Sequence, residues 1–100
     1  MIVKVHYNSG RKICVIIDSE LYGKKVEEGN RQLDLTAEFY NGEERSSEEA
    51  KGIVKGSYIL HIVGRESIGL ALKNAWIDET NIIMVKGVPH TEALFIENDS

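Results

Sequence analysis

The segment from Ser57 to Lys86 constrains the fold more than any other part of this chain. Two apolar runs, Ser57 to Val63 and Ile82 to Val85, flank a stretch in which Ile68, Ala71, Leu72, Ala75 and Trp76 recur at i, i+3, i+4, i+7 and i+8. That spacing lines one side of an α-helix. It predicts a helix over 65–76 between strands over 57–63 and 82–86. A strand–helix–strand crossover makes its two strands parallel, with a right-handed connection. Gly64 breaks the first strand, and Gly87-Val88-Pro89-His90 reads as the end of the second.

The N-terminal part adds antiparallel pairing. Ile2 to Tyr7 and Ile13 to Ile17 read as two strands joined through the turn residues Asn8-Ser9-Gly10. The continuous apolar run of the second strand places it inside a sheet, covered on both faces. The fold expected is therefore α/β (α+β): two layers, with a mixed β-sheet, an N-terminal hairpin and one C-terminal βαβ unit. At 100 residues the chain is read as a single globular domain over 1–100.

Between these units the signals are local. Asp18-Ser19-Glu20-Leu21 starts with good capping residues, but Gly23 ends any helix there within a turn. Gly23 to Asn30 is polar and reads as a surface loop, Arg31 to Leu35 as a short strand, and Thr36 to Arg45 as a loop anchored by Phe39 and Tyr40. Ser46 with Glu49 three residues on has the spacing of a capping box. Ala50, Ile53 and Val54 give the helix that follows one apolar side, and Gly56 stops it. Ala93 to Ile96 reads as a last edge strand, and Glu97 to Ser100 as a fraying end.

Composition narrows the function. Hydrophobic residues are 42% and charged residues 28% of the chain, which is ordinary for a globular protein. No apolar run reaches the length of a membrane helix, so no membrane partner is expected. Nothing at the N-terminus reads as a targeting signal. With the single cysteine, Cys14, this points to a reducing cytoplasm. Sixteen acidic against twelve basic residues give a net charge of −4, unlike a protein that coats DNA.

Several chemistries fail on spacing. His6, His61, His90 and Cys14 form no ligand pair, so no metal site is expected. Cys14 has no neighbour in sequence that would lower its pKa, and it reads as a small core residue. Gly23-Lys24-Lys25 lacks the first glycine and the hydroxyl of a phosphate loop. No cofactor motif and no hydrolase motif is present. Glu43, Glu44, Glu48 and Glu49 read as a solvated, dipole-favoured helix start. For nucleic acid, Arg11, Lys12, Lys24, Lys25, Arg31 and Lys86 are the available cations. Tyr7, Tyr22, Phe39, Tyr40 and Trp76 are the available stacking rings, with Trp76 on the helix's apolar side.

One resemblance spans most of the chain. Ile62-Val63-Gly64 with Ser67, a helix running to near Ile77, Asn81 and then Gly87-Val88-Pro89-His90 is similar to an archaeal family catalogued as domain of unknown function 424. The N-terminal hairpin and Leu21-Tyr22-Gly23-Lys24 fit the same pattern. This chain departs from it at Thr91 and Glu92, where the family tends to have a small residue and then Gln. The resemblance implies an archaeal cytoplasmic protein with a loose association with translation. It brings no activity and no catalytic residues.

The candidate site follows from the topology. The loops at Gly64 and at Gly87 to His90 fall at the carboxyl ends of the two parallel strands, where open α/β sheets bind ligands. Gly64 precedes a helix whose first N–H groups attract anions. Arg65 offers charge there, Ser67 a hydroxyl, Gly87 close approach, and Pro89 a rigid mount for His90. Gly64, Arg65, Ser67, Gly87, Pro89 and His90 are thus the candidate anion- or phosphate-binding residues. The structural alternative is that the glycines only end strands, Ser67 only caps the helix and His90 bonds backbone. The function expected is a small binding module associated with RNA or with a translation-related protein, with homo-oligomerisation open. The alternatives are a small enzyme on a phosphorylated ligand with His90 as acid–base group, and a purely structural interaction domain.

Overall fold

The computed structural model describes residues 1–97. The expected fraying end lies, for residues 98–100, outside the described residues. Strands β1 (Ile2–Asn8) and β2 (Arg11–Ile17) form the N-terminal hairpin. A small hairpin, β3 (Lys25–Glu28) and β4 (Arg31–Asp34), and the two-residue β5 (Glu43–Glu44) follow. Helix α1 (Ser47–Ile53), β6 (Ile59–Val63) and helix α2 (Arg65–Lys73) precede β7 (Ile83–Val85) and β8 (Val88–Leu94). The main sheet has the order β5-β1-β2-β6-β8-β7, and β3 and β4 pair separately.

The sheet is mixed, and its parallel pairing differs from the expected one. The strands that lie side by side in parallel are β2 and β6, with Val15 opposite His61. β6 and β7 do run parallel to each other, but β8 lies between them, antiparallel to both. The edge strand expected over Ala93 to Ile96 is instead an interior strand that begins at Val88. Lys86 and Gly87 do not terminate the sheet. Both have positive φ, 49° and 78°, the geometry of a tight two-residue hairpin turn. Residues 88–90 therefore start β8 rather than a loop.

Pro89 stands in an interior strand, where a missing N–H normally disqualifies proline. Here the missing donor would face Gly64, just past the end of β6. The Gly64 carbonyl is already engaged by the Ile68 N–H at 2.9 Å, while the Gly64 N–H donates to the Pro89 carbonyl at 2.8 Å. The helix takes the acceptor that the proline cannot use.

Both faces of the sheet are packed. Val3, Cys14, Ile16, Leu60 and Ile62 meet Ala50 and Val54 around α1 and Ile68, Ala71 and Trp76 around α2. Ile2, Val15, Ile17, Val63 and Val85 meet Leu33 and Leu35 of the small hairpin region. Gly23 to Asn30 is thus not a plain loop: β3 lies within it, and Val26 packs against this second cluster. Ser46 caps α1 as its spacing implies, accepting from the Glu49 N–H while the Glu49 side chain accepts from the Ser46 N–H.

Helix α2 is shorter than its periodicity suggests. It ends at Lys73, and Ala75 takes a left-handed φ of 56°. The Trp76 N–H bonds the Ala71 carbonyl at 2.9 Å and the Ala75 N–H bonds the Leu72 carbonyl at 3.0 Å. This is a Schellman stop with alanine where glycine is usual. Trp76 reaches the core from beyond the helix. Leu72, within the helix but 40% exposed, lies at the rim of its packed side, and Ala75 is not a core residue because the helix has ended before it.

Candidate functional site

Four of the six candidate residues come together at the carboxyl ends of β2, β6 and β7. Gly64, Arg65, Gly87 and Pro89, with Asp18, Glu20, Leu21 and Val88, line a crevice of about 150 Å³. The exposed Arg65 guanidinium donates to the Gly87 carbonyl at 3.0 Å, tying the α2 start to the β7–β8 turn.

The helix N-terminus in this crevice is already occupied from within. Asp18, at the end of β2, is 2% exposed. Its carboxylate accepts from the Glu66 N–H at 3.0 Å, the Ser67 N–H at 2.7 Å and the Ser67 hydroxyl at 2.7 Å. An internal anion thus sits where helix dipole and free N–H groups would attract an external one. Ser67 is fully buried by this contact. Gly64 is required on two counts. Its φ is +107°, and a Cβ there would lie 2.2 Å from the Asp18 Cγ. An incoming anion at this crevice would compete with the Gly87 carbonyl for Arg65 and would meet the carboxylate of Glu20.

His90 is not among the residues that line the crevice. It pairs with Val63 on one side and Ile83 on the other. Its Nδ1 is buried with no hydrogen-bond partner among the described residues. Burial lowers its pKa, opposed by a backbone hydrogen bond at Ile83 and reinforced by Arg31. The ring lies on the sheet face shared with Val63, beside the small hairpin, rather than in the crevice at the strand ends.

A second constellation lies on the sheet face opposite the helices. Cross-strand registers align His6, Ile13, Ile59 and Leu94 in one row and Lys4, Val15, His61 and Glu92 in the next. Ile13 and Ile59 are half-buried and Leu94 is 59% exposed, because the small hairpin covers only the far half of this face. The His6 ring stacks on Phe39 at 4.4 Å between centroids, and its Nε2 lies 2.7 Å from the Phe39 carbonyl oxygen. Arg11 lies over the Tyr58 ring at 4.3 Å. Together with Asn8, Ser9, Ile13 and Ile59 that pair lines a depression of about 290 Å³.

Beside this floor, the Tyr40 hydroxyl is 3.2 Å from the His61 Nε2, and the His61 Nδ1 is 3.3 Å from a Glu92 oxygen. Burial lowers the pKa of His61 against the pull of Glu92, and burial raises that of Tyr40. Tyr40 was legible as an anchor. Its partners His61 and Glu92 were not, and their only sequence signal is polarity within otherwise apolar strands. The histidines do not converge on a metal: the Phe39 ring contacts both His6 and His61, Cys14 faces the helices, and among the described residues no group of three ligating side chains stands together.

The expected cations do not gather on one side. Lys12 turns to the Ile53 and Lys55 carbonyls behind α1, Lys25 pairs with Glu27, and Arg31 reaches the Met84 carbonyl at 3.3 Å. Arg11 alone of the six belongs to the open half of the sheet. Among the rings, Trp76 is buried edge-on to Phe95 and Tyr22 bonds Asn41.

A family model described as "Protein of unknown function (DUF424)" matches residues 6–95. A solved structure, described as an uncharacterized conserved protein from Methanopyrus kandleri, superposes with a TM-score of 0.75 at 16% identity, covering 99% of this chain and 94% of that one. At that identity the likeness is one of fold. No curated protein matches. Among the described residues no helix is long and apolar enough to cross a membrane.

Proposed function

The chain belongs to the DUF424 family, whose function is unknown, and from that premise we propose that it is a small binding module that takes single-stranded RNA on the open half of its sheet. The observation that carries this reading is the apolar floor of Ile13, Ile59 and Leu94 flanked by two ring stacks, His6 on Phe39 and Arg11 on Tyr58. Exposed apolar patches rimmed by polar groups mark binding surfaces. Unpaired bases are held by stacking on aromatic and guanidinium planes, with nearby cations meeting the phosphates. Lys4 and Arg11 supply those cations on this face, although the whole chain is acidic. An archaeal cytoplasm is the setting we propose. The fold neighbour's source and the single thiol support it, and a ribonucleoprotein of the translation apparatus is the partner class.

The crevice at the strand ends supports binding less well. The helix donors there are spent on Asp18, and Glu20 stands beside Arg65. The acid–base role for His90 loses its geometry, since the ring lies away from that crevice.

The test is titration with single-stranded homopolymeric RNA followed by amide NMR at two salt concentrations. Shifts should cluster at Phe39, Tyr58, Ile13 and Ile59 and weaken with salt. Arg11→Ala and Phe39→Ala should each weaken binding about tenfold, since one lost base stack is worth about 1–3 kcal/mol. Shifts at Gly64, Arg65 and Gly87 instead would move the ligand surface to the crevice. An unchanged spectrum at low salt would end the RNA reading.

A further inference from the structure

The outer edge of β1 is paired only over Ile2 and Val3, where β5 lies against it. The Arg45 N–H donates to the Met1 carbonyl at 2.8 Å. In antiparallel pairing this fixes which residues face which side: odd-numbered residues of β1 turn their N–H and C=O outward, and even-numbered ones turn them to β2. Val5 and Tyr7 therefore hold their backbone groups toward an edge against which no strand of the described residues lies. A groove of about 530 Å³ runs along that edge, lined by Val3, Lys4, Val5, Gly42 and Ile53 among others. Tyr7, on the same face as Val5, is 71% exposed.

We propose that this edge pairs with the same edge of a second copy, antiparallel about a two-fold axis beside His6. One register engages every free group: Val5 opposite Tyr7 of the second copy, and Tyr7 opposite its Val5. Each of those pairs exchanges two N–H···O=C bonds. Pairing Tyr7 with Tyr7 would leave Val5 unmet, and pairing Val5 with Val5 would run into β5. The same register lays each Tyr7 ring on the Val5 side chain across the axis, sets Lys4 opposite Asn8 so that the lysines do not face each other, and brings the two His6 side chains together on the opposite face. An identical edge supplies this complement to itself, which is the defining property of a two-fold interface. It joins the two sheets into one. The paired stretch is short, so the interface falls at the small, transient end of the range and the dimer depends on concentration.

Sedimentation equilibrium across a range of protein concentrations, with amide exchange on the same samples, tests this. The expected result is a monomer–dimer equilibrium in which the Val5 and Tyr7 amides exchange more slowly as concentration rises, while Lys4 and His6, bonded to β2, do not change. Tyr7→Lys should weaken association at least about tenfold, a loss of roughly 1.4 kcal/mol. Val5→Pro removes one outward donor at an edge, where proline is tolerated, and should give a folded monomer by circular dichroism. A monomer at every concentration overturns the proposal. So does a dimer that Tyr7→Lys leaves intact, or one whose Val5 and Tyr7 amides stay unprotected.

Discussion

Replacing Asp18 with alanine should be among the most damaging single changes outside the apolar core. The carboxylate holds two backbone N–H groups and one hydroxyl at the start of α2, and the Ser67 pair is buried. A hydrogen bond to a charged partner contributes roughly 1.5–3 kcal/mol, and a buried donor left unmet costs about 1–3 kcal/mol. The three bonds share one acceptor and are not additive. Water can also reach the part-buried Glu66 N–H. The net loss expected is therefore about 3 kcal/mol, a large share of the roughly 5–15 kcal/mol that holds a domain together. Asp18→Asn keeps one acceptor but turns an NH₂ toward a donor, and should lose about half as much. Urea unfolding by circular dichroism reads this directly, with the m-value unchanged. A double-mutant cycle with Ser67→Ala should show a coupling of about 1 kcal/mol. An Asp18→Ala loss below about 1 kcal/mol, or strictly additive single losses, would refute the view that Asp18 caps α2 across the fold.

Other outcomes follow from the same geometry. Ala75→Gly should stabilise the protein by about 1 kcal/mol in urea unfolding, because an L-residue in the left-handed region carries roughly 1–2 kcal/mol of strain, partly offset by the extra freedom glycine has when unfolded. The Cys14 thiol, pushed up to about 11 by burial, should react with thiol reagents only at the rate at which the fold opens. Measured modification kinetics at neutral pH faster than amide exchange of Leu60 would contradict that. Burial lowers the pKa of both His61 and His90, so below the ordinary histidine value of about 6.5 the unfolded chain binds more protons than the folded one. Stability should be fully present above that pH and fall as pH drops through the folded-state values. The double variant His61→Gln with His90→Gln should flatten the slope of unfolding free energy between neutral and mildly acidic pH. At lower pH the carboxylates of Glu44 and Glu49, held down by hydrogen bonds to the N-terminal amine and to Ser46 respectively, should add a second decline of the same sign.

The elements that could be read from the sequence are those whose signal is local. β2 and β6 are dominated by apolar residues, and the Ser46–Glu49 box and the Ile68–Ala71 spacing each complete themselves within a turn or two of chain. What escaped depends on contacts made far along the chain. Asp18 looks like the cap of its own short turn, and nothing near it in sequence says that it serves Glu66 and Ser67 instead. β8 was hidden by Pro89, whose defect is cured only by the helix bond to Gly64. The His61–Glu92 pair requires knowing that β8 enters beside β6, a register that periodicity does not carry. Strand direction alone brings Gly64 and Gly87 to one end of the sheet, so that part of the geometry is legible in the chain. The carboxylate that occupies the helix start is not legible, because Asp18, the residue after β2, lies about fifty positions away in the chain.

The insertion of β8 between β6 and β7 also sets a schedule. β6 is Ile-Leu-His-Ile-Val, and when it leaves the ribosome one of its edges can pair with β2 at once. Its other edge must wait while α2 and β7 are made. Through that interval an apolar strand edge stands open, the kind of surface that seeds association between nascent chains. The Lys86–Gly87 turn shortens the exposure, because β7 and β8 can zip together locally, on the microsecond scale typical of hairpins, and fill the slot as a unit. Slowing translation or weakening that turn should therefore lower the yield of soluble protein more than it lowers the stability of the finished fold.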